Sequence, residues 1–207
     1  MARPRTHDEK LRERLLDTAG EALARGGAAA LSLRSLASAV GTSTSAVYTL
    51  FGGKPGLLHE LYGQAFERLD AGQRAIGIGP DPVEDVVALG VAYRETAVAD
   101  PRAYRMMFGH ESTPTRLPAE LRQRSADAFS PLLEAVHRCV AAGRFPSAPE
   151  PAAIATALWA NAHGLVSLEL GAFRPPAATD PAEVFRTATR AVVRGWCALA
   201  ADQHQHN

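Results

Sequence analysis

LSLRSLASAVGTSTSAVYTLFGGKPGLL, residues 31–58, decides the fold, because it packs two short amphipathic helices around one glycine and then opens a third. Leu33, Leu36, Ala37 and Val40 fall at the i, i+3, i+4, i+7 spacing of a buried helical stripe, and Ser32 stands where a cap belongs. Gly41 supplies the sharp turn. The next helix starts at Thr42 or Ser43, both good caps. Its apolar positions Val47, Leu50 and Phe51 face inward and leave Thr44, Ser45, Tyr48 and Thr49 on the other side. Hydrogen-bonding side chains in that position suit a helix entering the major groove, so the pattern reads as a helix-turn-helix and predicts DNA binding.

Ser43, Val47, Tyr48, Phe51 and Lys54 carry a resemblance to the TetR family of bacterial transcriptional regulators. There the recognition helix runs S-x-x-x-(V/L)-Y-x-x-F and a lysine follows three residues later. The resemblance extends upstream to an amphipathic first helix over residues 8–25 and downstream to Leu57, Leu58, Leu61 and Tyr62. It implies a ligand-controlled homodimer that binds a palindromic double-stranded DNA operator, usually as a repressor. The expected fold class is all-α. Residues 1–54 form a three-helix helix-turn-helix DNA-binding domain, and residues 55–207 form a helical effector-binding and dimerisation domain. Ser32, Arg34, Ser43, Thr44, Ser45, Tyr48, Thr49 and Lys54 are assigned to DNA. Lys54 and Tyr48 are placed at phosphates, with Thr44, Ser45 and Thr49 nearer base edges.

Charge agrees with this division without proving it. The 207 residues hold 22 Lys and Arg against 22 Asp and Glu, so net charge favours no partner. Residues 1–54 hold 8 basic against 5 acidic side chains, and the remainder 14 against 17, so the basic surplus lies with the reader. Arg3, Arg5, Lys10, Arg12 and Arg14 make up much of it and are placed to approach phosphates; the alternative is a solvated, frayed terminus. Cys139 and Cys197 have no metal-ligand spacing and read as reduced, structural thiols. The N-terminus lacks the apolar stretch of a signal peptide. Residues 152–170, the most apolar segment, contain Thr156, Asn161, His163 and Ser167 and are too short and polar for a membrane span. A cytoplasmic protein with no membrane partner is expected.

Beyond the reader the chain reads as helices throughout. Leu57, Leu58, Leu61, Tyr62, Ala65, Phe66 and Leu69 form the stripe of a long helix that Pro55 can begin. Residues 71–82, AGQRAIGIGPDP, read as the linker after it. Helices follow at 83–99, 102–110, 118–142, 151–171 and 181–201, with turns at Pro101, Pro114, Pro146 and Pro175. Pro131 falls inside the third of these and is expected to kink or split it.

Residues 151–171 carry two apolar stripes, one through Ile154, Leu158, Ala162, Leu165 and Leu168 and one through Trp159, His163, Val166 and Leu170. A helix apolar on most sides must be covered on most sides. The last helix has a stripe of Phe185, Ala188, Val192, Trp196 and Leu199. Together they predict a homodimer through residues 152–171 and 181–201, which begin at Ala152 and Pro181 and end at Gly171 and Ala201. The alternative is that both complete a monomeric bundle. Leu158, Trp159, His163, Gly164 and Leu165 also resemble the C-terminal regulatory and dimerisation domain of one TetR subgroup, in which a tryptophan precedes a His-Gly pair by four residues. Tyr104, Met106, Met107, Phe108 and Gly109 fit that subgroup too. The resemblance supplies a role and no ligand identity.

Tyr62, Phe66, Tyr93, Met106, Met107, Phe108, Phe129, Trp159 and His163 gather aromatic and methionine side chains in the middle of the chain and are assigned to a small-molecule effector. Any of them can equally be ordinary core, and His163 can be a core histidine bonded to a backbone carbonyl. Asn161 and Glu169 are further polar candidates on that helix. Catalytic patterns are missing. His59-Glu60 and His110-Glu111 lack a second histidine at metalloprotease spacing, Gly77-Ile78-Gly79 runs into Pro80, and no G-x-S-x-G occurs. The expectation is therefore no enzyme, no metal and no cofactor, with His204 and His206 in a solvated tail. Two alternatives stay open: a helical small-molecule-binding or partner-binding protein without operator binding, and a helical enzyme using Glu95, His110 or His163.

The division of labour in the reader is testable by fluorescence anisotropy. Lys54→Ala weakens specific and non-specific DNA about equally and lowers the salt slope by about 1. Thr44→Ala changes sequence preference instead. A Lys54→Ala protein with affinity and slope both unchanged would contradict the assignment.

Overall fold

The computed structural model describes residues 5–108, 118–171 and 180–205. Among them the chain forms nine helices and no strand: α1 (Arg5–Ala30), α2 (Leu33–Val40), α3 (Thr44–Phe51), α4 (Lys54–Arg74), α5 (Pro82–Ala99), α6 (Pro101–Phe108), α7 (Ala119–Ala141), α8 (Pro151–Leu170) and α9 (Pro181–Gln205). The all-α expectation holds.

Local chemistry accounts for several helix ends. Asp81, Asp100 and Asp180 each precede a proline that opens a helix, and each carboxylate accepts a backbone N–H of the first turn: Val83 at 3.0 Å, Ala103 at 3.0 Å and Ala182 at 3.0 Å. An Asp cap followed by proline satisfies an orphan donor and sets the first helical φ together. Around the turn of the reader, Gly41 adopts φ 72°, ψ 39° and closes α2 through hydrogen bonds from Gly41 N to Ser38 O and from Thr42 N to Ala37 O. α1 is interrupted at Gly26 and Gly27, where φ/ψ leave the helical region, so its regular part ends where the expected 8–25 helix does.

The residues pack as two units that interleave along the chain. The first lies within Met1–Glu67 and Asp100–Arg124, the second within Arg68–Ala99 and Ser125–Asn207. In the first, Leu15, Leu16 and Leu23 of α1, Leu36 and Val40 of α2, Val47 and Phe51 of α3 and Leu57 and Leu61 of α4 share one core with Met106 and Met107 of α6. In the second, α5 packs on α8 and α9, and Val86, Val136, Cys139, Phe145, Ile154, Leu158 and Val193 form the centre. The packing units thus differ from a cut at residue 54: residues 54–67 of α4 pack with the reader, and α6 joins them from later in the chain.

Several sequence expectations need correcting. The linker is shorter than residues 71–82, because α4 continues to Arg74. Gly72 is a packing position there rather than a breaker, since a Cβ on it would come within 2.6 Å of Thr96 Oγ1. The buried Gln73 side chain donates to Leu89 O at 3.1 Å. The loop that remains is tied down by Asp85, whose two carboxylate oxygens accept from Gly79 N at 3.1 and 3.0 Å while Arg138 pairs with it at 2.8 Å. Pro131 does not split α7, which runs as one element from Ala119 to Ala141. In α9 the side chains buried within the single chain are Phe185, Thr189, Val193 and Ala200, while Val192 and Trp196 of the stripe assigned to the dimer are half-buried and Leu199 is exposed. Gly90 admits Thr189, whose Cγ2 would lie 3.1 Å from a Cβ at that position. The helix also extends to Gln205 rather than 201. Pro114 and Pro175, and with them Gly109 and His110, lie outside the described residues.

Gly56 sits in the first turn of α4 against the end of α3, where a Cβ would overlap the Phe51 carbonyl oxygen. Gly56→Ala must therefore push the two helices apart, and urea unfolding should show a loss of about 1–3 kcal/mol. An unchanged midpoint would mean that the junction yields freely.

Candidate DNA-reading face and effector residues

α3 is eight residues long and is made by its two ends and its buried side. Ser43 caps it, its Oγ accepting from Ala46 N at 3.2 Å, and Val47 and Phe51 are buried. Thr44, Ser45, Tyr48 and Thr49 are consequently turned outward, with Tyr48 59% exposed. Thr49 Oγ1 donates to Ser45 O at 2.9 Å, and the Tyr48 ring lies beside Gly53, where a Cβ would meet its Cε1 at 3.1 Å. Ser32 plays the Ser43 part for α2, accepting from Ser35 N at 3.4 Å. Both hydroxyls therefore set helix starts, while keeping a proton each to donate. Arg34 is exposed on α2, and Lys54 is half-buried as the first residue of α4.

Two of the arginines expected to approach phosphates have partners within the unit. Arg12 grips both oxygens of Glu60, with Nε 2.7 Å from Oε1 and Nη2 on Oε2, and its guanidinium lies 5.1 Å from the Phe51 ring centroid. Arg14 Nη2 donates to Val40 O at 2.6 Å, at the end of α2. Lys10 is exposed, Arg3 lies outside the described residues, and of the Arg5 side chain nothing is described.

The nine residues assigned to an effector fall into two groups. Tyr62, Phe66, Met106 and Met107 are buried in the core of the first unit, with Phe108 packed against it. Burial pushes the Tyr62 phenol up to about 12. Tyr93, Phe129, Trp159 and His163 form a connected cluster in the second unit. The Phe129 and Trp159 rings meet edge to face at 6.3 Å, Trp159 and His163 are 5.3 Å apart, and Tyr93 Oη lies 3.0 Å from His163 Nδ1. Ser167 Oγ stands 3.5 Å from the other ring nitrogen, Nε2. Thus His163 has side-chain partners at both ring nitrogens. Next to it Arg94 holds Glu169 through two hydrogen bonds of 2.8 and 2.6 Å, with the Phe185 ring 6.0 Å from the guanidinium. Glu169 stood out in the sequence as an acid on an apolar helix. Arg94 did not, because nothing local marks which of many arginines will meet it.

Residues 15–61 match the model for bacterial regulatory proteins of the tetR family, and residues 86–200, more than half of the chain, match the tetracyclin repressor-like C-terminal domain. A helix-turn-helix with an outward polar α3, followed by a helical body, is what a ligand-responsive DNA-binding regulator requires. The chain belongs to the tetR family. HTH-type transcriptional regulator Rv1816 of Mycobacterium tuberculosis is 26% identical over 217 aligned positions, which cover 89% of this chain and 92% of that protein. A solved Rhodococcus sp. RHA1 protein of unknown function is 26% identical with TM-score 0.75, covering 90% of this chain and 95% of the other. FadR from Bacillus subtilis, solved with stearoyl-CoA, shares the fold at TM-score 0.71 and 14% identity, over 88% of this chain and 98% of its own. Among the described residues no helix is long and apolar enough to cross a membrane.

Burial holds His163 below its ordinary value of 6.5. The unfolded chain therefore takes up this proton at higher pH than the folded one. The stability tied to neutral His163 is complete above 6.5 and is lost as pH falls through 6.5 towards the lower folded value. Urea unfolding should find wild type more stable than His163→Gln at about pH 7.5, with the gap narrowing by about pH 5.5. A gap that widened on acidification would reverse the assignment.

Proposed function

We propose that this regulator is a repressor acting in the cytoplasm as a homodimer on a palindromic operator, and that a small, mainly apolar effector releases it. The observation that carries the reading is the outward face of α3, where Thr44, Ser45, Tyr48 and Thr49 offer hydrogen-bonding groups on a helix whose other side is buried. Residues 1–54 are the DNA-binding part and residues 55–207 the effector-binding and dimerisation part. Its C-terminal domain is assigned to the subgroup marked by Trp159 and His163-Gly164. Selection of duplexes from a random library, followed by anisotropy on the winners, tests the reading; a protein that enriches no sequence is not an operator-binding regulator.

Support for the dimer comes from the outer faces of α8 and α9. Ala153, Ala157, Ala160 and Leu168 on α8, and Val184, Ala191, Gly195 and Leu199 on α9, are exposed in the single chain, with Leu168 at 54%. A Cβ on Gly164 or Gly195 would meet nothing within 4 Å. Small and apolar side chains at solvent on two neighbouring helices suit a four-helix contact across a two-fold axis.

Effector contacts are proposed for Tyr93, Phe129, Trp159 and His163 within the second unit and, separately, for Tyr62, Phe66, Met106, Met107 and Phe108 within the first. Their chemistry is apolar with few polar groups, which suits a ligand of the same kind, and the stearoyl-CoA held by FadR is a ligand of that description. α4 contributes residues to both packing units, so it is the proposed lever. Effector and operator each favour one arrangement of the recognition helices, and the coupling is reciprocal: each weakens the other's binding by the same factor.

Leu168→Glu places a charge on the outer face without entering the protomer core. Light scattering should show the mass falling from two chains to one, with the dimer constant weakened at least about a hundredfold. Wild type running as one chain at micromolar concentration would remove the dimer from the proposal.

A further inference from the structure

Arg12 reaches from α1 to the junction of α3 and α4. Its guanidinium grips both carboxylate oxygens of Glu60 on α4 and lies 5.1 Å from the ring centroid of Phe51, the last residue of α3. Glu60 is anchored further by Gln64 Nε2 at 3.5 Å from Oε1. From the other side, the first turn of α4 presses on the same residue, since Gly56 leaves no room for a Cβ against the Phe51 carbonyl oxygen. Phe51 is thus held between Arg12 and Gly56. Three residues earlier on α3 stands Tyr48, and the ring of Tyr48 rests beside Gly53 in the turn to α4.

The geometry points to Arg12 as a positioning residue for DNA reading: it fixes the pose of α3 against α4 through Glu60 and Phe51 and makes no contact with phosphate. This rests on the DNA-binding reading above. An eight-residue helix has too little internal stability to hold its own orientation, and a two-pronged arginine–carboxylate pair has the directional character to hold it. When the clamp is lost, α3 populates several poses, and the apparent affinity for operator falls by the fraction that remains competent. The number of phosphates neutralised does not change, so the salt slope stays constant.

The experiment compares wild type with Arg12→Ala, Arg12→Lys, Glu60→Gln and the Arg12→Ala/Glu60→Gln double variant. The probes are the strongest duplex that wild type selects from a random library and a scrambled duplex of the same length. The expected result is an affinity for the selected duplex about tenfold weaker in Arg12→Ala. The scrambled duplex is little affected, the salt slope is unchanged, and the double variant is no worse than the worse single one. Arg12→Lys keeps the charge but not the two-pronged grip or the ring contact, so it should resemble Arg12→Ala. Two outcomes overturn the proposal while leaving DNA reading intact. A slope lowered by about 1 in Arg12→Ala, with Arg12→Lys near wild type and Glu60→Gln neutral, would make Arg12 a phosphate contact. A lowered melting temperature with specific affinity unchanged would make the pair purely structural. Failure of wild type to select any duplex would instead sink the DNA-binding reading, and this one with it. If Arg12→Ala does not fold, Arg12→Lys and Glu60→Gln decide between the same outcomes.

Discussion

The proposed reading surface depends on one constraint: α3 is too short to exist by itself. An isolated helix of two turns is unstable in water, because nucleation is unfavourable and few hydrogen bonds follow. Here Ser43 satisfies one end, Val47 and Phe51 bury one side, and the turn to α4 brings Gly56 against Phe51. Every outward side chain of α3 takes its direction from those inward contacts. A change in the core of the first unit is thereby a change in the face proposed to read DNA, and the proposed role of α4 as a lever rests on that dependence.

Charge follows the same logic. In a chain with equal numbers of acids and bases, several arginines near the reader have partners on other helices. Arg14 satisfies the Val40 carbonyl at the end of α2, Arg102 pairs with Glu21 and Arg124 with Glu67. Each joins two different helices: α1 to α2, α6 to α1, α7 to α4. Exposed pairs of this sort contribute little stability individually. Their effect is to fix which faces meet. The basic surplus of the first 54 residues is therefore a weaker indicator of phosphate contact than its count suggests.

In the second unit the informative feature is polarity inside an apolar helix. α8 buries Ile154, Leu158 and Val166 and still carries His163 and Glu169. A polar group in such a place is costly without a partner. Tyr93 and Arg94, adjacent on α5, supply the partners for His163 and Glu169 respectively. Neighbouring residues of one helix thus fix both the rotation and the height of α5 on α8. The aromatic group of Phe129, Trp159 and His163 is held in that frame, which gives the proposed effector residues a defined geometry.

Local chemistry made the helix-turn-helix legible. The cap at Ser32, the turn at Gly41 and the stripes of Leu36, Val40, Val47 and Phe51 act over a few residues, so sequence alone determined α2, α3 and which side of α3 faces out. Among the described residues the helix order was largely legible for the same reason. Asp-Pro pairs at 81, 100 and 180 start helices by contacts within one turn. What sequence did not determine depends on partners far along the chain. Gly72 reads as a breaker until Thr96 is seen against it, and nothing near Arg12 in the sequence marks Glu60, 48 residues away, as its partner. Thr189 of α9 is buried inside the protomer although its residue type gives no reason to expect it there, and Gly90 on α5 leaves room for it. Composition and periodicity state which side chains want burial, and only the tertiary contacts state against what.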